Sequence, residues 1–389
     1  MSHQANHRTN HRTLIVGGGC IGLCLAWELS RRGVDVTVVD RNQVGKGTSW
    51  AAAGILPAAK YETATDPIDR LRGYSHELFH DWAGELQQAT GIDTGFRRCG
   101  GWFLADTPGE QAAMMGMTHY WRELQIQCER IDNADVARRE PALANWLTRN
   151  PNAAAWWTPD ECQIRCPDYL AALVSACEKQ NVQLLPHTNI HDLHASKTTV
   201  QVSAESKSVT SNLEADTVVI CSGAWSGLAA PSLKLDRSIV PIRGQILLLK
   251  SAQHLLSGVV NVGNRYLVVR DDGHTLVGSC EEEVGHQLGT TAEMLSTLRD
   301  FALNLCPQLS DAAEVQSWSG LRPMTFDGFP ILGRVPETTN VYVASGHYRS
   351  GVHLSPATAK IMADLMTGET PQVDISHFGV GKQQSGSTT

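Results

Sequence analysis

The chain has 389 residues, room for one large or two medium domains with a substantial core. Its 40 acidic and 32 basic residues leave a formal net charge of −8, which argues against general nucleic-acid affinity, a property that needs a basic surface. No run approaches the ~18 uninterrupted apolar residues of a membrane span, and ten scattered cysteines without a secretion signal read as reduced thiols of a cytoplasmic protein.

Residues 1–12 are polar and read as a disordered tail; His3, His7 and His11 stand at helical spacing there, but a solvated tail is the simpler reading than a metal site. Cys162 and Cys166 are a close, loop-like pair with no second pair or histidine cluster to complete a zinc site, so no metal is expected. An apolar strand, Leu14 to Val16, then runs into a G-x-G-x-x-G turn made by Gly17, Gly19 and Gly22. A helix follows, Gly33 stops it, and Val36 to Val39 form a second strand that ends on Asp40. Each residue type has a task. Gly17 permits the tight turn, Gly19 lets backbone approach a pyrophosphate, and Gly22 allows close helix–strand packing. The helix N-terminus offers unpaired N–H groups to phosphates, and Asp40 accepts hydrogen bonds from a ribose diol. Strand, turn, helix, strand and terminal acid in register specify a dinucleotide-binding βαβ unit.

Beyond Asp40 a glycine- and alanine-rich loop, 44–56, is dense in small residues, as backbone packed against a flat group would be. The pattern predicts helices at 66–90, 109–128, 168–180, 293–306 and 351–367. It predicts strands around Gly100-Gly101, at 182–185, 199–202 and 215–221, through 237–278 with a hairpin at Asp271-Asp-Gly, and at 341–344. The α/β segments at start, middle and end bracket two insertions richer in β. The expected division is a discontinuous nucleotide-binding domain (13–92, 160–235, 310–375), a substrate domain (93–159, 236–309) and a frayed tail (376–389).

Four stretches carry a resemblance: the Gly17 turn, Thr48-Ser-Trp-Ala-Ala-Ala-Gly54, Val219-Ile-Cys-Ser-Gly-Ala-Trp-Ser226, and the pair Ser319-Gly-Leu-Arg-Pro323 with Gly346-His-Tyr-Arg-Ser-Gly-Val-His-Leu354. Across nearly the whole chain, and in order, they resemble the D-amino-acid oxidase superfamily of flavoproteins, its glycine oxidase branch above all. The resemblance implies an α/β (mixed α+β) protein, with a glutathione-reductase-like, Rossmann-type FAD-binding domain and a mixed β-sheet substrate domain roofing the flavin. It implies that FAD, rather than NAD, contacts Cys20, Ile21, Arg41, Thr48, Ser49, Ala52, Ala53, Gly54, Val182, Ser222, Gly223 and Trp225. The same holds for Gly346, His347, Tyr348, Arg349, Ser350, Gly351, Val352 and His353. No cysteine follows Cys306, so the FAD is expected to be noncovalent.

By the same resemblance Arg322 grips a substrate carboxylate as a bidentate fork, Tyr266 adds its hydroxyl, and Arg349 is a second arginine near that carboxylate. Guanidinium geometry and permanent charge suit the task. The implied reaction is oxidative deamination of a small amino acid (glycine, sarcosine or a D-amino acid) to an imine and then a 2-oxo acid and ammonia. Dioxygen becomes hydrogen peroxide, and the family link is supply of dehydroglycine for the thiazole of thiamine. A dehydrogenase of the same fold passing electrons to a quinone or carrier, an NAD enzyme and a non-catalytic FAD-binding protein are the alternatives; a homo-oligomer stays open. Two departures bear on the substrate. His353 stands where the family commonly has an aliphatic residue. Glu281 stands where the glycine oxidase pocket tends to be apolar; an outward, solvated acidic turn is its simpler reading, and inward it would recognise an amine or a polar side chain.

Overall fold

The computed structural model describes residues 11–206, 209–235 and 238–381. A six-stranded sheet forms the nucleotide-binding half, in the order Ile331–Arg334, Val341–Ser345, Thr217–Ile220, Arg12–Val16, Asp35–Val39 and Gln183–Leu185. All neighbours are parallel except the antiparallel edge strand Ile331–Arg334. Side chains alternate across the sheet, as the period of two requires. Ile15, Val38 and Val219 face helices Cys20–Arg31, Pro67–Thr90, Cys166–Lys179 and Gly351–Thr367. Leu14, Val16, Val218 and Ile220 face a three-stranded antiparallel layer, Thr188–Ala195, Val200–Ser206 and Val209–Ala215.

The second half is an eight-stranded mixed sheet, in the order Ala313–Thr325, Ile239–Lys250, His274–Gly278, Arg265–Val269, Val259–Val262, Gly101–Ala105, Ala154–Thr158 and Glu129–Ile131. Leu247, Leu249, Val260, Leu267 and Val277 on one face pack with Leu298, Ala302 and Leu305 of helix Ala292–Leu305 and with two short helices, Asn133–Arg139 and Ala144–Arg149. Ile246, Val259, Val268, Leu276 and Tyr266 line the opposite face, turned toward Ala53 of the small-residue loop.

The expected division needs two changes. Strand Ala313–Thr325, which carries Arg322, pairs along its length with Ile239–Lys250 and so belongs to the eight-stranded sheet, not to the nucleotide-binding half. The C-terminal segment is not frayed through residue 381: Ser376–Phe378 form a turn of 3-10 helix, and Phe378 is fully buried in the nucleotide-binding core. Residues 382–389 lie outside the described residues, as do residues 1–10 of the expected N-terminal tail; Arg12 already belongs to a strand.

Local chemistry sets the ends. Asp66 Oδ1 accepts from Ile68 N at 2.9 Å to open helix Pro67–Thr90, and Gly91 closes it in the left-handed region. Helix Gly351–Thr367 tolerates Pro356 because the Ser355 hydroxyl donates to Val352 O at 2.8 Å, taking the carbonyl that a residue-356 N–H would have bonded. The helix expected to reach residue 128 ends at Glu123, since Gln125 turns into the left-handed region before strand Glu129–Ile131. Among the described residues, no helix is long and apolar enough to cross a membrane.

Candidate active site

The opening turn has the geometry its glycines predict. Gly17 takes φ +115°, and a Cβ there would stand 2.5 Å from Cys221 O; a Cβ on Gly22 would collide with Gly17 O. Asp40 ends the second strand, where its Oδ2 accepts from Gly18 N and its Oδ1 from Asn42 N, each at 2.8 Å. Burial raises its carboxyl above the usual carboxylate range. A cavity of about 520 Å³ opens beside it, lined by Gly17, Gly19, Asp40, Arg41, Ser222, Gly223 and Trp225, with the Arg41 guanidinium 3.8 Å from the centre of the Trp225 ring.

A larger cavity of about 770 Å³ continues from it, and Gly19, Thr48, Ser49, Ala51, Cys221, Gly223 and Gly320 line both. Its walls hold Cys20, Ile21, Ala52, Ala53 and Gly54 from the early chain and His347 to His353 from the late chain. Two helices, Cys20–Arg31 and Gly351–Thr367, begin at this cavity, and residues of their first turns line it. Gly346 does not line it; its φ of +78° turns the loop, and a Cβ would collide with Thr325 Cγ2. Val182 lies outside both cavities, buried in the core. Ile190 lines the smaller cavity instead, on a strand whose register shift between Ile190 and Asp192 turns both Ile190 and Leu193 inward.

One wall of the larger cavity is built on the large sheet. Arg322 donates from Nη1 to Cys280 O at 2.9 Å and from Nη2 to Ser279 Oγ at 2.7 Å. These bonds fix the plane of the guanidinium on the cavity wall. Its space comes from Gly244, where a Cβ would collide with the guanidinium. Tyr266 stands opposite Gly278 in the ladder, and a Cβ on Gly278 would collide with the tyrosine ring. Burial raises the Tyr266 phenol, against the lowering charges of Arg322 and Arg349, so the hydroxyl stays a donor at neutral pH. Gly244, Gly278 and Ser279 escaped the sequence reading; for the two glycines the signal was present, since a glycine in a strand marks close approach.

The late loop differs from expectation. Arg349 donates from Nε to Glu281 Oε1 at 2.8 Å and holds the same oxygen through Nη2 at 2.5 Å; the Tyr348 hydroxyl donates to it too. Glu281 is therefore not a merely solvated acid. His353 is buried, with Nε2 3.3 Å from His76 Nδ1, and burial first, then the charges of His76 and Arg72, push it well below the ordinary histidine range. Burial likewise pushes His347 down to about 3 and the Cys20 thiol up to about 11. Both imidazoles are neutral and the thiol is protonated at pH 7.

The small-residue loop and the substrate strand are joined directly. Thr48 Oγ1 donates to Leu321 O at 3.0 Å and Trp318 Nε1 donates to Ala51 O at 3.0 Å. Arg270 adds a clasp, donating from Nη2 to Ala53 O and Ile164 O at 2.8 and 3.0 Å and from Nη1 to Gln163 Oε1 at 2.6 Å.

Two connected cavities, an acid at one end, an apolar floor of Ala51 to Ala53 and helix N-termini at the other fit an elongated dinucleotide carrying a flat ring system. The family model of FAD dependent oxidoreductases (DAO) matches residues 12–365. The chain belongs to this family. It is 31% identical over 367 residues to the glycine oxidase of Geobacillus kaustophilus, covering 94% of this chain and 95% of that one. The crystal structure of glycine oxidase from that organism superposes with a TM-score of 0.89, covering 96% of this chain and 99% of that one. The bifunctional protein ThiO/ThiG of a Nostoc species is 30% identical over 97% of this chain, which spans 56% of its length. This family member is thus an FAD-dependent amino-acid oxidase, and FAD is its cofactor. Asp40, Gly17 and Gly19 are suited to the adenosine diphosphate end; Thr48 to Gly54 and the loop His347 to His353 are suited to the flavin ring.

Proposed function

We propose that the protein oxidises a small α-amino acid (glycine, sarcosine or a D-amino acid) with dioxygen as acceptor. For glycine, amino acid, O2 and water give glyoxylate, ammonia and hydrogen peroxide, which balances atoms and electrons. The observation that carries this reading is the fork of Arg322, held against the cavity by Cys280 O and Ser279 Oγ beside Tyr266.

The remaining N–H groups of Arg322 bind the substrate carboxylate and the Tyr266 hydroxyl donates to it. Each charge-assisted bond is worth ~1.5–3 kcal/mol, enough together to select amino acids over plain amines. The carboxylate anchor orients Cα–H, and the apolar loop Ala51 to Ala53 excludes water, so orientation and desolvation supply much of the rate. The substrate amine must be neutral to release a hydride equivalent. Bound FAD supplies the two-electron redox chemistry. The imine then hydrolyses to the 2-oxo acid. The fusion in the Nostoc relative supports the proposal that the imine of glycine is itself a product of use, feeding the thiazole of thiamine.

The test is an anaerobic screen of glycine, sarcosine and D-amino acids, following loss of the oxidised-flavin absorbance, then peroxide formation in air. Arg322→Ala should raise KM by about 100-fold or abolish reduction. An Arg322→Ala protein that oxidises glycine or a D-amino acid as well as the parent overturns the reading. Dye reduction without peroxide overturns dioxygen as acceptor.

A further inference from the structure

Glu281 lies just beyond strand His274–Gly278, in a run of three acids of which the first two have different partners. Glu282 is held bidentately by Arg243 at 3.0 and 3.1 Å. Glu281 reaches across to the other half of the molecule, where its Oε1 takes the Nε–Nη2 edge of Arg349 and the Tyr348 hydroxyl. That edge is one of those with which a guanidinium grips a carboxylate. Tyr348, Arg349, Tyr266 and Arg322 all line the large cavity. The four also share one electrostatic neighbourhood: Tyr266 feels both arginines, and Glu281 feels Arg322 as well as Arg349. Two guanidinium groups and one carboxylate leave a local charge of about +1, which matches one substrate carboxylate.

We propose that Glu281 is a specificity-determining positioning residue, which withholds Arg349 from the substrate and so turns away amino acids carrying a second carboxylate. The inference rests on the reading of Arg322 as the carboxylate grip. A dicarboxylic amino acid anchored there brings its second carboxylate to Arg349, where it meets the charge of Glu281 and leaves two anions competing for one guanidinium. A monocarboxylic amino acid meets no such competition. The discrimination comes from a built-in repulsion, not from pocket size. Arg349, Tyr348 and Arg322 oppose the effect of burial and hold the Glu281 carboxyl below its usual range, so it carries charge throughout the neutral region.

The test uses the FAD-loaded protein and two nonreactive probes, acetate and malonate, by titration calorimetry. Steady-state kinetics with glycine and D-aspartate form a second arm. In Glu281→Gln the malonate-to-acetate affinity ratio should rise tenfold or more, and the D-aspartate-to-glycine ratio of kcat/KM should rise with it, mainly through KM. Glu281→Asp keeps the charge and should keep the parental ratios. Malonate-to-acetate ratios within twofold of the parent in a Glu281→Gln protein of unchanged melting temperature overturn the proposal. So does Glu281→Asp behaving as Glu281→Gln does. The calorimetric arm reads Glu281 even if no amino acid bleaches the parent flavin, the result that would instead remove the catalytic reading.

Discussion

The guanidinium of Arg322 lies over Gly244 on the neighbouring strand, in the space a Cβ at that position would fill. The atom that must yield on substitution is the far end of a flexible side chain, so the fold can absorb the change while the grip cannot. Gly244→Ala should leave the melting temperature unchanged or slightly higher, since glycine within a strand costs ~0.5–1 kcal/mol against alanine. KM for the amino acid should rise roughly 10- to 100-fold through the displaced fork. Steady-state kinetics beside a thermal melt checks both.

Tyr266→Phe removes one hydroxyl and keeps the ring that packs over Gly278. The lost donor should raise KM by about tenfold and alter kcat by less than about threefold, the pattern of lost ground-state binding. A fall in kcat with KM unchanged would place the hydroxyl in the transition state instead.

Arg270 is buried on the large sheet, yet two of its bonds go to backbone carbonyls in and beside the small-residue loop. Arg270→Met strands Ala53 O, Ile164 O and Gln163 Oε1 without that donor, at ~1–3 kcal/mol for each buried group left unmade. The expected result is weaker FAD retention, read as the flavin-to-protein ratio after gel filtration. Arg270→Lys should not restore it, because an ammonium does not span the same fork.

Glu161 is buried beside the substrate cavity, where its Oε1 accepts from Asn261 Nδ2 at 3.1 Å, and burial lifts its carboxyl to about 7. Its native pKa lies above the unfolded value, so the native state binds the extra proton. The carboxyl therefore imposes no penalty below about pH 4.5, and stability falls as pH climbs through the native value near 7. Glu161→Gln keeps an acceptor for Asn261 and removes the titration. It should be more stable than the parent at pH 8 by ~3 kcal/mol, with little difference at pH 4.5. Chemical denaturation at the two pH values checks the sign.

What the sequence disclosed is what local chemistry encodes. The Gly17 turn, Asp40 and the helix Gly351–Thr367 are short-range patterns, and each stands where its residues put it. Strand Ala313–Thr325 was missed because it lies at a sheet edge, with one partner strand, a bulge, mixed exposure and Pro323 inside it. The short helices Asn133–Arg139 and Ala144–Arg149 are too brief for a period of 3.6 to emerge. The ion pair of Glu281 was not legible for a different reason: a charge in an acidic run does not say which distant cation it meets, and Arg349 lies 68 residues on. Val182 and Ile190 are both apolar and near the same strands; only the fold tells which one reaches the cavity.

Thr48 and Ala51 bond directly to the strand that carries Arg322. On the proposed reading of Arg322 as the carboxylate grip, the molecule thereby holds a ruler, with its zero at that anchor and its mark at the floor of small residues. In an α-amino acid the oxidisable carbon is one bond from the carboxylate carbon; in β-alanine it lies about 1.5 Å further along the chain. Because the scale is set by two side-chain bonds to backbone carbonyls, an enzyme acting in the proposed way measures where the amine sits along a substrate without needing to recognise the amine itself.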